Sequence, residues 1–486
     1  FHVDPQVLVK DEATYVGEPI AMVVAQSRRL AEDALTSIAF DIEPLPAVTD
    51  PFAGLESGAP KARLDCPDNL VARQSIDYGD IDGAFAKAAH RIKDRFRLHK
   101  GGGHSIETRG IAVRPDPIDE TLTVYANTQM PHRAKQILVA ALGVPESRIR
   151  VVAPDSGGGF GPKAAFHPEE LALPAAALLL DRPLKWIEDR RENFVAAVGE
   201  RDQDWDMEAA FDAEGRLLAL RGRLCHDHGS CTPYGVAMAY NAGTNVIGPY
   251  VLPAYRLDIN WCLTNFVPSA PTRGAGRPQG MFVMERMLDG IAIKLGLPRD
   301  EVRRRNMIQP SQMPYPTPIK QRDGSTMTYD SGDYRKAMDR ALALADWKGF
   351  AKRRRESKKK GRLRGLGIAN YIEATSGDPR EYAKVDVLPE GRVDVTVGTL
   401  SSGQGHETSF AQCIGEWLGV DVDSIRLIQG DTDIVPVGGG SHSARSMRMG
   451  GVVMGKASQA VIAKATKIAG HAMEADPADI AFHDGR

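Results

Sequence analysis

Four stretches of this chain share one construction: an apolar run, then a cluster of glycines or hydroxyl residues, then in most cases a helix-like period. Glycine lets backbone N–H groups point at a common spot with no Cβ in the way. A following helix adds its own unpaired N–H groups and its dipole. A chain that repeats this pattern is constrained to strand–loop–helix units whose loops face a ligand.

The first stretch is Asp155-Ser156-Gly157-Gly158-Gly159-Phe160-Gly161-Pro162-Lys163. It lies between a strand expected over 149–153 and a helix expected from near Pro168. It fits neither common nucleotide loop. Pro162 stands where the Walker pattern needs glycine, Ala164 replaces its hydroxyl, and the Rossmann spacing fails. The second stretch is Ala270-Pro271-Thr272-Arg273-Gly274-Ala275-Gly276-Arg277-Pro278. It opens a helix in which Met281, Met284, Leu288, Ile291 and Leu295 recur every three or four residues, the stripe of a core-facing face. Pro278 suits the first turn, where no N–H is needed. Two arginines there make a cationic, donor-rich spot suited to an anion. The third, Gly398-Thr399-Leu400-Ser401-Ser402-Gly403-Gln404-Gly405-His406, follows a strand expected over 392–397. The helix after it buries Phe410, Cys413, Ile414, Trp417 and Leu418. The fourth runs from Gly430-Asp431-Thr432-Asp433 through Gly438-Gly439-Gly440-Ser441-His442-Ser443-Ala444-Arg445-Ser446. Any one of these loops alone reads equally as a flexible turn. Four together, with side chains fit for phosphate or oxo groups, point to a large anionic cofactor.

The rest of the chain sets the fold class. Residues 15–25 read as a turn and a buried strand, 27–36 as a helix and 37–42 as a second strand. Residues 43–69 read as a linker. A strand over 121–126, a helix over 132–142 and a buried helix over 169–180 follow. This alternation, with long insertions, gives an α+β (mixed α/β), multi-domain protein. Between 352 and 365, nine of fourteen residues are basic. That run reads as a solvated helix end and linker, or alternatively as a site for an acidic partner or nucleic acid, although no aromatics interleave it.

Composition narrows the function. With 61 basic and 63 acidic residues the net charge is −2, against a dedicated nucleic-acid binder. Five scattered cysteines without a Cys-x-x-Cys pair point to a reducing, cytoplasmic setting and to no iron–sulfur cluster held by this chain alone. The longest apolar run, 171–180, contains Pro174 and falls far short of the roughly 20 residues of a membrane span. The first residue is Phe1 and no leader pattern follows, so the chain is expected to be processed or part of a longer protein. His226-Asp227-His228 puts two imidazoles on one side of a strand as a possible metal pair. No third ligand stands at motif spacing, so surface or hydrogen-bonded histidines are the weightier reading. His104 and Glu107 read as a local acid/base pair or as structural groups.

Read in order, several motifs resemble the molybdopterin-binding large subunit of the xanthine oxidase and aldehyde oxidase family, the molybdenum hydroxylases. They are Tyr15-Val16-Gly17-Glu18-Pro19, Gln129 in Ala-Asn-Thr-Gln, residues 157–161, residues 272–278, Glu301-Val302-Arg303-Arg304-Arg305-Asn306-Met307, Gly403-Gln404-Gly405 and residues 430–433. The resemblance covers nearly the whole chain.

It implies the end of a small α/β domain over 1–50, a linker over 51–69, a first cofactor domain over 70–335, a connector over 336–365 and part of a second cofactor domain over 366–486. It implies molybdenum–molybdopterin, in its cytosine dinucleotide form. Gly159, Phe160 and Gly161 would approach the metal's oxo group, and Gln129 would reach an oxygen on the metal. Arg273 would lie beside the cofactor, and Gly403, Gln404 and Gly405 would hold the pterin. Ser443, Ala444, Arg445 and Ser446 would line the other side. Gln129, Phe160, Arg273 and Ser443 would stand next to molybdenum without ligating it, with Phe160, Gln404 and Arg273 converging on that one metal.

The implied reaction is hydroxylation of a carbon with oxygen from water. Electrons would pass to iron–sulfur and FAD groups on a small and a medium partner subunit, in a dimer of heterotrimers with no nucleic acid. The family's glutamate base lies in a Gly-Glu motif. Here Gly17-Glu18, Gly199-Glu200 and Gly415-Glu416 stand in other contexts, so that glutamate is expected beyond Arg486 or on a separate subunit, and no residue within the chain is assigned as catalytic; the alternative is a non-catalytic cofactor-binding or assembly protein of the same fold that lacks the base. Gly274 replaces the copper-binding cysteine of carbon monoxide dehydrogenases. Asn241, Ala275 and Ala164 stand where purine oxidisers carry an arginine, an aromatic and a second glutamate. An aldehyde or a non-purine N-heteroaromatic is therefore the expected substrate.

Overall fold

A computed structural model describes residues 1–321, 324–373, 375 and 377–485. Two compact units emerge, each built from separated stretches. The first takes Phe1–Asp4, Leu45–Gly101 and Glu200–Glu373; the second takes Pro5–Pro44, Gly102–Gly199 and Ala374–Arg486.

In the first unit, long alternating segments pair into a five-stranded sheet. Its order is Leu70–Tyr78, Ala254–Cys262, Leu217–Asp227, Gln203–Phe211, His90–Leu98. Only the pair Leu217–Asp227 and Ala254–Cys262 runs parallel. One face carries Trp205, Leu224, Leu257, Ile259 and Trp261, fully buried. The helix Arg277–Leu295 shares that core through Met284, Leu288 and Ile291 of the stripe expected from its spacing, and through Met287 beside them. Leu295 is the exception at the helix end, only partly buried. The arginine-rich helix Arg299–Asn306 owes its composition to packing. Arg303 is fully buried and donates to Glu285 Oε2 at 2.7 Å, and the Asn306 amide holds Gly215 O and Leu217 N.

The second unit contains two parallel strand–helix–strand crossovers. In one, Thr121–Ala126 pairs with Ile149–Val152 across the helix Pro131–Leu142, in a sheet ordered Ile149–Val152, Thr121–Ala126, Gly110–Asp116, Leu184–Ile187. In the other, Val393–Val397 pairs with Ile425–Ile428 across the helix His406–Leu418. Buried Val124, Val151, Ala134 and Leu138 fill the first core; Val395, Phe410, Ile414 and Met454 fill the second. Ligands of such sheets gather outside the carboxyl ends of parallel strands, and all four strand ends here run into glycine-rich or polar loops. The ends meet: Ala153 N donates to Gly430 O at 2.8 Å, Thr432 N to Val151 O at 3.0 Å, and Arg150 Nε to Asp431 Oδ1 at 3.0 Å.

Three local expectations are corrected. Residues 18–25 and 37–42 form no strand, although the turn at 15–17 and the helix Arg28–Leu35 are present. A strand exists only by pairing, and no described segment pairs with either stretch. The helix Pro168–Leu180 is not buried throughout. Ala172, Leu173 and Ala177 face the core, whereas Leu178, Leu179 and Leu180 are exposed. Of the two readings of His226 and His228 the surface one fails: both are fully buried, their rings edge to face 5.1 Å apart, while His226 Nδ1 meets Gln203 Nε2 at 3.2 Å, as the hydrogen-bonded reading expected. Burial lowers both below the usual imidazole range, His228 to about 4, so they stay neutral. Among the described residues no three His, Cys, Asp or Glu are grouped to hold a metal ion, and no helix is long and apolar enough to cross a membrane. The basic run occupies the exposed helix Phe350–Lys359 and the segment after it.

Candidate functional site

In the second unit Gln129 sits three residues past the strand Thr121–Ala126 and is buried. Its side-chain amide bridges two loops. Oε1 accepts from Gly161 N at 2.9 Å and Nε2 donates to Ser441 O at 2.7 Å. Its own carbonyl accepts from Ser441 N at 3.0 Å. Ser441 Oγ in turn accepts from Gln404 Nε2 at 2.7 Å, and Gln404 Oε1 accepts from Ser402 N. One hydrogen-bonded line thus joins the first, third and fourth glycine loops. Gly161 N–H is consumed by Gln129. The Gln129 amide group carries a second hydrogen beyond the one given to Ser441.

The loop of 157–161 is shaped by close approach. A Cβ on Gly159 would fall 2.4 Å from Gln129 Cδ, so any larger residue there would push the Gln129 side chain off its partners. Phe160 adopts a left-handed backbone, φ 58°, an uncommon state for a bulky residue, and its ring is half exposed. Glu107 grips the other end. Its Oε2 accepts from Gly157 N at 2.8 Å and from Lys163 Nζ at 2.8 Å, with Ser156 Oγ at 3.3 Å. Burial pushes the Glu107 carboxyl up. The Lys163 and Gly157 hydrogen bonds and the Lys163 charge outweigh it and hold the carboxyl below its ordinary range. Lys163 is itself lowered, because burial disfavours its charge more than Glu107 restores it. His104 turns elsewhere, to Asn193 Oδ1 at 3.1 Å, so His104 and Glu107 have separate partners.

Around the third loop, Ser402 Oγ and His406 Nδ1 are buried with no protein partner among the described residues. His406 stacks on Phe410 at 4.5 Å, and burial lowers it. In the fourth loop, Ser443 and Ala444 are both left-handed, φ 52° and 55°, and lead into a π-helical turn, Ser446–Gly450. Ser446 Oγ meets Thr399 Oγ1 at 2.7 Å. Arg445 is fully buried. Its guanidinium donates to Asp378 O, Arg380 O, Gly440 O and Glu381 Oε2, all within the protein, at 2.6–3.0 Å.

The second loop belongs to the first unit, and with it Arg273. Glu200, fully buried, accepts from Thr272 N at 2.6 Å and from Gln279 Nε2 at 2.9 Å. Burial raises its carboxyl above the ordinary range despite those donors and Arg201. Arg201 donates to Arg273 O at 2.6 Å. Gly276, φ 91°, starts the helix where a Cβ would fall 2.2 Å from Met238 O. Of the three residues assigned to substrate, Asn241 and Ala275 meet, Asn241 Nδ2 donating to Ala275 O at 3.1 Å. Ala164 is buried in the turn Pro162–Ala164 of the second unit. Sequence reasoning does not single out Glu107, Lys163 or Glu200 as holding the loops. Their partners lie up to 79 residues away, and no local pattern marks them.

Comparison with known proteins agrees with this geometry. Residues 63–307 and 340–486 match family models described as "Molybdopterin cofactor-binding domain". The chain is 32% identical to the nicotine 6-hydroxylase large subunit of Paenarthrobacter nicotinovorans, covering 98% of this chain and 59% of that protein. It is 34% identical to the same organism's 6-hydroxypseudooxynicotine dehydrogenase complex subunit gamma, over 99% of this chain and 60% of that protein. The crystal structure of quinoline 2-oxidoreductase from Pseudomonas putida 86 superposes with a TM-score of 0.90 at 33% identity, covering 99% of this chain and 62% of that one. The chain therefore spans about three fifths of the length of the curated relatives it matches.

Proposed function

Because the chain belongs to the molybdopterin cofactor-binding family, we propose that it is the cofactor-holding portion of a molybdenum-dependent oxidoreductase. Its reaction would be hydroxylation of a carbon in an N-heteroaromatic ring, or of an aldehyde, with oxygen from water. The observation that carries this is the line Gly161–Gln129–Ser441–Gln404, which ties three donor-rich loops together at strand carboxyl ends. The residues fit the cofactor. Buried Ser402 Oγ and His406 Nδ1 have no protein partner among the described residues, and the Gln129 amide carries a hydrogen beyond the one given to Ser441. Both are what a phosphorylated, oxo-bearing group calls for.

In this reading Gln129, Gly159, Phe160, Gly161, Gly403, Gln404, Gly405 and the loop Ser443-Ala444-Arg445-Ser446 hold the group. Arg445 acts by fixing its loop. When bound, the cofactor supplies the two-electron redox chemistry. The protein orients it and shapes the room beside it. Ala275 with its partner Asn241 would offer a small, uncharged surface and a neutral amide, which suits an aromatic ring without a purine's ionisable edges. The names of two relatives, a nicotine hydroxylase and a quinoline oxidoreductase, favour an N-heteroaromatic over an aldehyde. The cytosine dinucleotide form, and partner subunits carrying iron–sulfur and FAD groups, complete the proposal. The relatives named as large subunit and subunit gamma support such a complex.

The test uses the complete complex. Metal analysis should find molybdenum, and acid release should yield a cytidine nucleotide. A dye-coupled screen should favour pyridine and quinoline rings over hypoxanthine. Absence of molybdenum, or a preference for purines, overturns the reading.

A further inference from the structure

The loop of 157–161 is held at two ends by different chemistry. Gln129 holds Gly161 through a neutral amide; Glu107 holds Gly157 through a carboxylate oxygen that also receives Lys163 Nζ. Lys163 lies two residues beyond Gly161, so the ion pair closes a small ring of chain around Gly158, Gly159 and Phe160. The ammonium is almost wholly buried, its side chain 4% exposed, and it reaches Ser156 Oγ at 3.4 Å as well. A buried lysine costs stability unless it is paired, so its presence beside glycines needs a reason beyond packing. The loop supplies one. Four glycines in five positions leave the backbone many conformations, whereas Phe160 must be kept left-handed. Charge-assisted bonds are about twice as strong as neutral ones, and one acceptor atom shared by Gly157 N–H and Lys163 fixes the two flanks of the loop relative to each other.

We propose that Glu107 and Lys163 are positioning residues: a clasp that sets the backbone at Phe160 and Gly161 for the cofactor. This deepens the function proposed above and rests on it. The surroundings of the clasp are named by the structure. His104 and Arg109 line the same small recess, and Glu170 and Glu188 act on Lys163 from the neighbouring helix and strand end. Arg109 is itself bound to Glu188 and Glu169, which leaves Lys163 as the cation bonded to Glu107.

The experiment compares Lys163→Met, Glu107→Gln and Lys163→Arg in the complete protein with its partner subunits. Three quantities are read: amide hydrogen exchange at 157–161, molybdenum per chain, and the electron paramagnetic resonance spectrum of the reduced metal. Both neutral variants should keep the circular dichroism of the wild type. Their exchange at 157–161 should speed up by about tenfold, the effect of losing one charge-assisted bond. Retained molybdenum should fall, and the resonance of what remains should shift. Lys163→Arg should return all three readouts toward wild type. Unchanged exchange and resonance in the neutral variants, or an arginine variant as altered as methionine, overturns the clasp. Loss of folding in both neutral variants assigns the pair to stability alone and overturns it too. A wild type without molybdenum but with the expected exchange changes defeats the function and leaves the clasp standing as a loop-positioning device.

Discussion

Each unit uses one glutamate to hold a glycine loop, and the two glutamates work in opposite electrostatic regimes. Glu107 in the second unit faces a cation, Lys163, and its side chain remains 41% exposed. Glu200 in the first unit is fully buried and is met mainly by neutral donors, Thr272 N and the Gln279 amide. The carboxyl is held below its ordinary range in the first case and pushed above it in the second. The loop each serves differs in the same sense. The loop at 272–276 carries its own cation, Arg273, whose carbonyl is gripped by Arg201; Arg201 also lies 3.6 Å from Glu200 Oε2, too far for a hydrogen bond, and burial outweighs its charge. The loop at 157–161 has no charge of its own and takes its cation from Lys163. A carboxylate serves as a backbone acceptor in either setting; which donors surround it decides its protonation behaviour.

The sharpest way to break this comparison is to remove one partner from each arrangement, the carboxylate of Glu200 and the cation of Lys163. Glu200→Ala should have the largest effect, about 2–4 kcal/mol, because Thr272 N–H and the Gln279 amide lose their acceptor in a dry interior. The shift of the urea midpoint of the first unit reads it; a shift under about 0.5 kcal/mol would mean water replaces the carboxylate. Lys163→Met should destabilise less, about 1–2 kcal/mol, since Glu107 is exposed enough for water to take over its charge. Equal losses for the two substitutions would erase the distinction drawn between the regimes.

Acid should separate them by sign. Glu200, raised in the fold, binds its proton more readily folded than unfolded. Relative to Glu200→Gln, the wild type should therefore gain stability as pH falls from neutral toward the unfolded value near about 4.3. Glu107, lowered in the fold, gives stability that is fully present above that value. Relative to Glu107→Gln, the wild type should hold level and then lose stability as pH falls through the folded value below it. Urea midpoints of each pair between pH 7 and pH 3 measure both, and slopes of the same sign would refute the assignment. Smallest of all should be Lys358→Ser and Lys359→Ser, on an exposed helix that carries neither glutamate nor its partners. The expected change is within about 0.5 kcal/mol by the same measurement.

Much of the loop framework is legible in the order of residues. The helices Arg277–Leu295 and His406–Leu418 follow from apolar spacing, because helical period is written locally. The same spacing places Phe160 and Gln404 in loops between strand and helix. The strands expected at 18–25 and 37–42 fail for the converse reason: an apolar run shows that a strand can form, not that a partner exists. The burial of His226 and His228 is equally out of reach, since a short polar triplet gives no sign of which sheet face will be covered.

What the chain's order of residues determined by itself was where glycine, arginine and hydroxyl groups interrupt regular structure, and hence that loops rich in donors follow strands. Tertiary structure alone decided which loops meet and what holds them. Gln129 reaches Ser441 across 312 residues of chain, and Glu200 reaches Gln279 across 79. Such contacts are selected by the packing of whole sheets and helices, where a buried acceptor must find a donor however distant in sequence, and no local pattern encodes that choice.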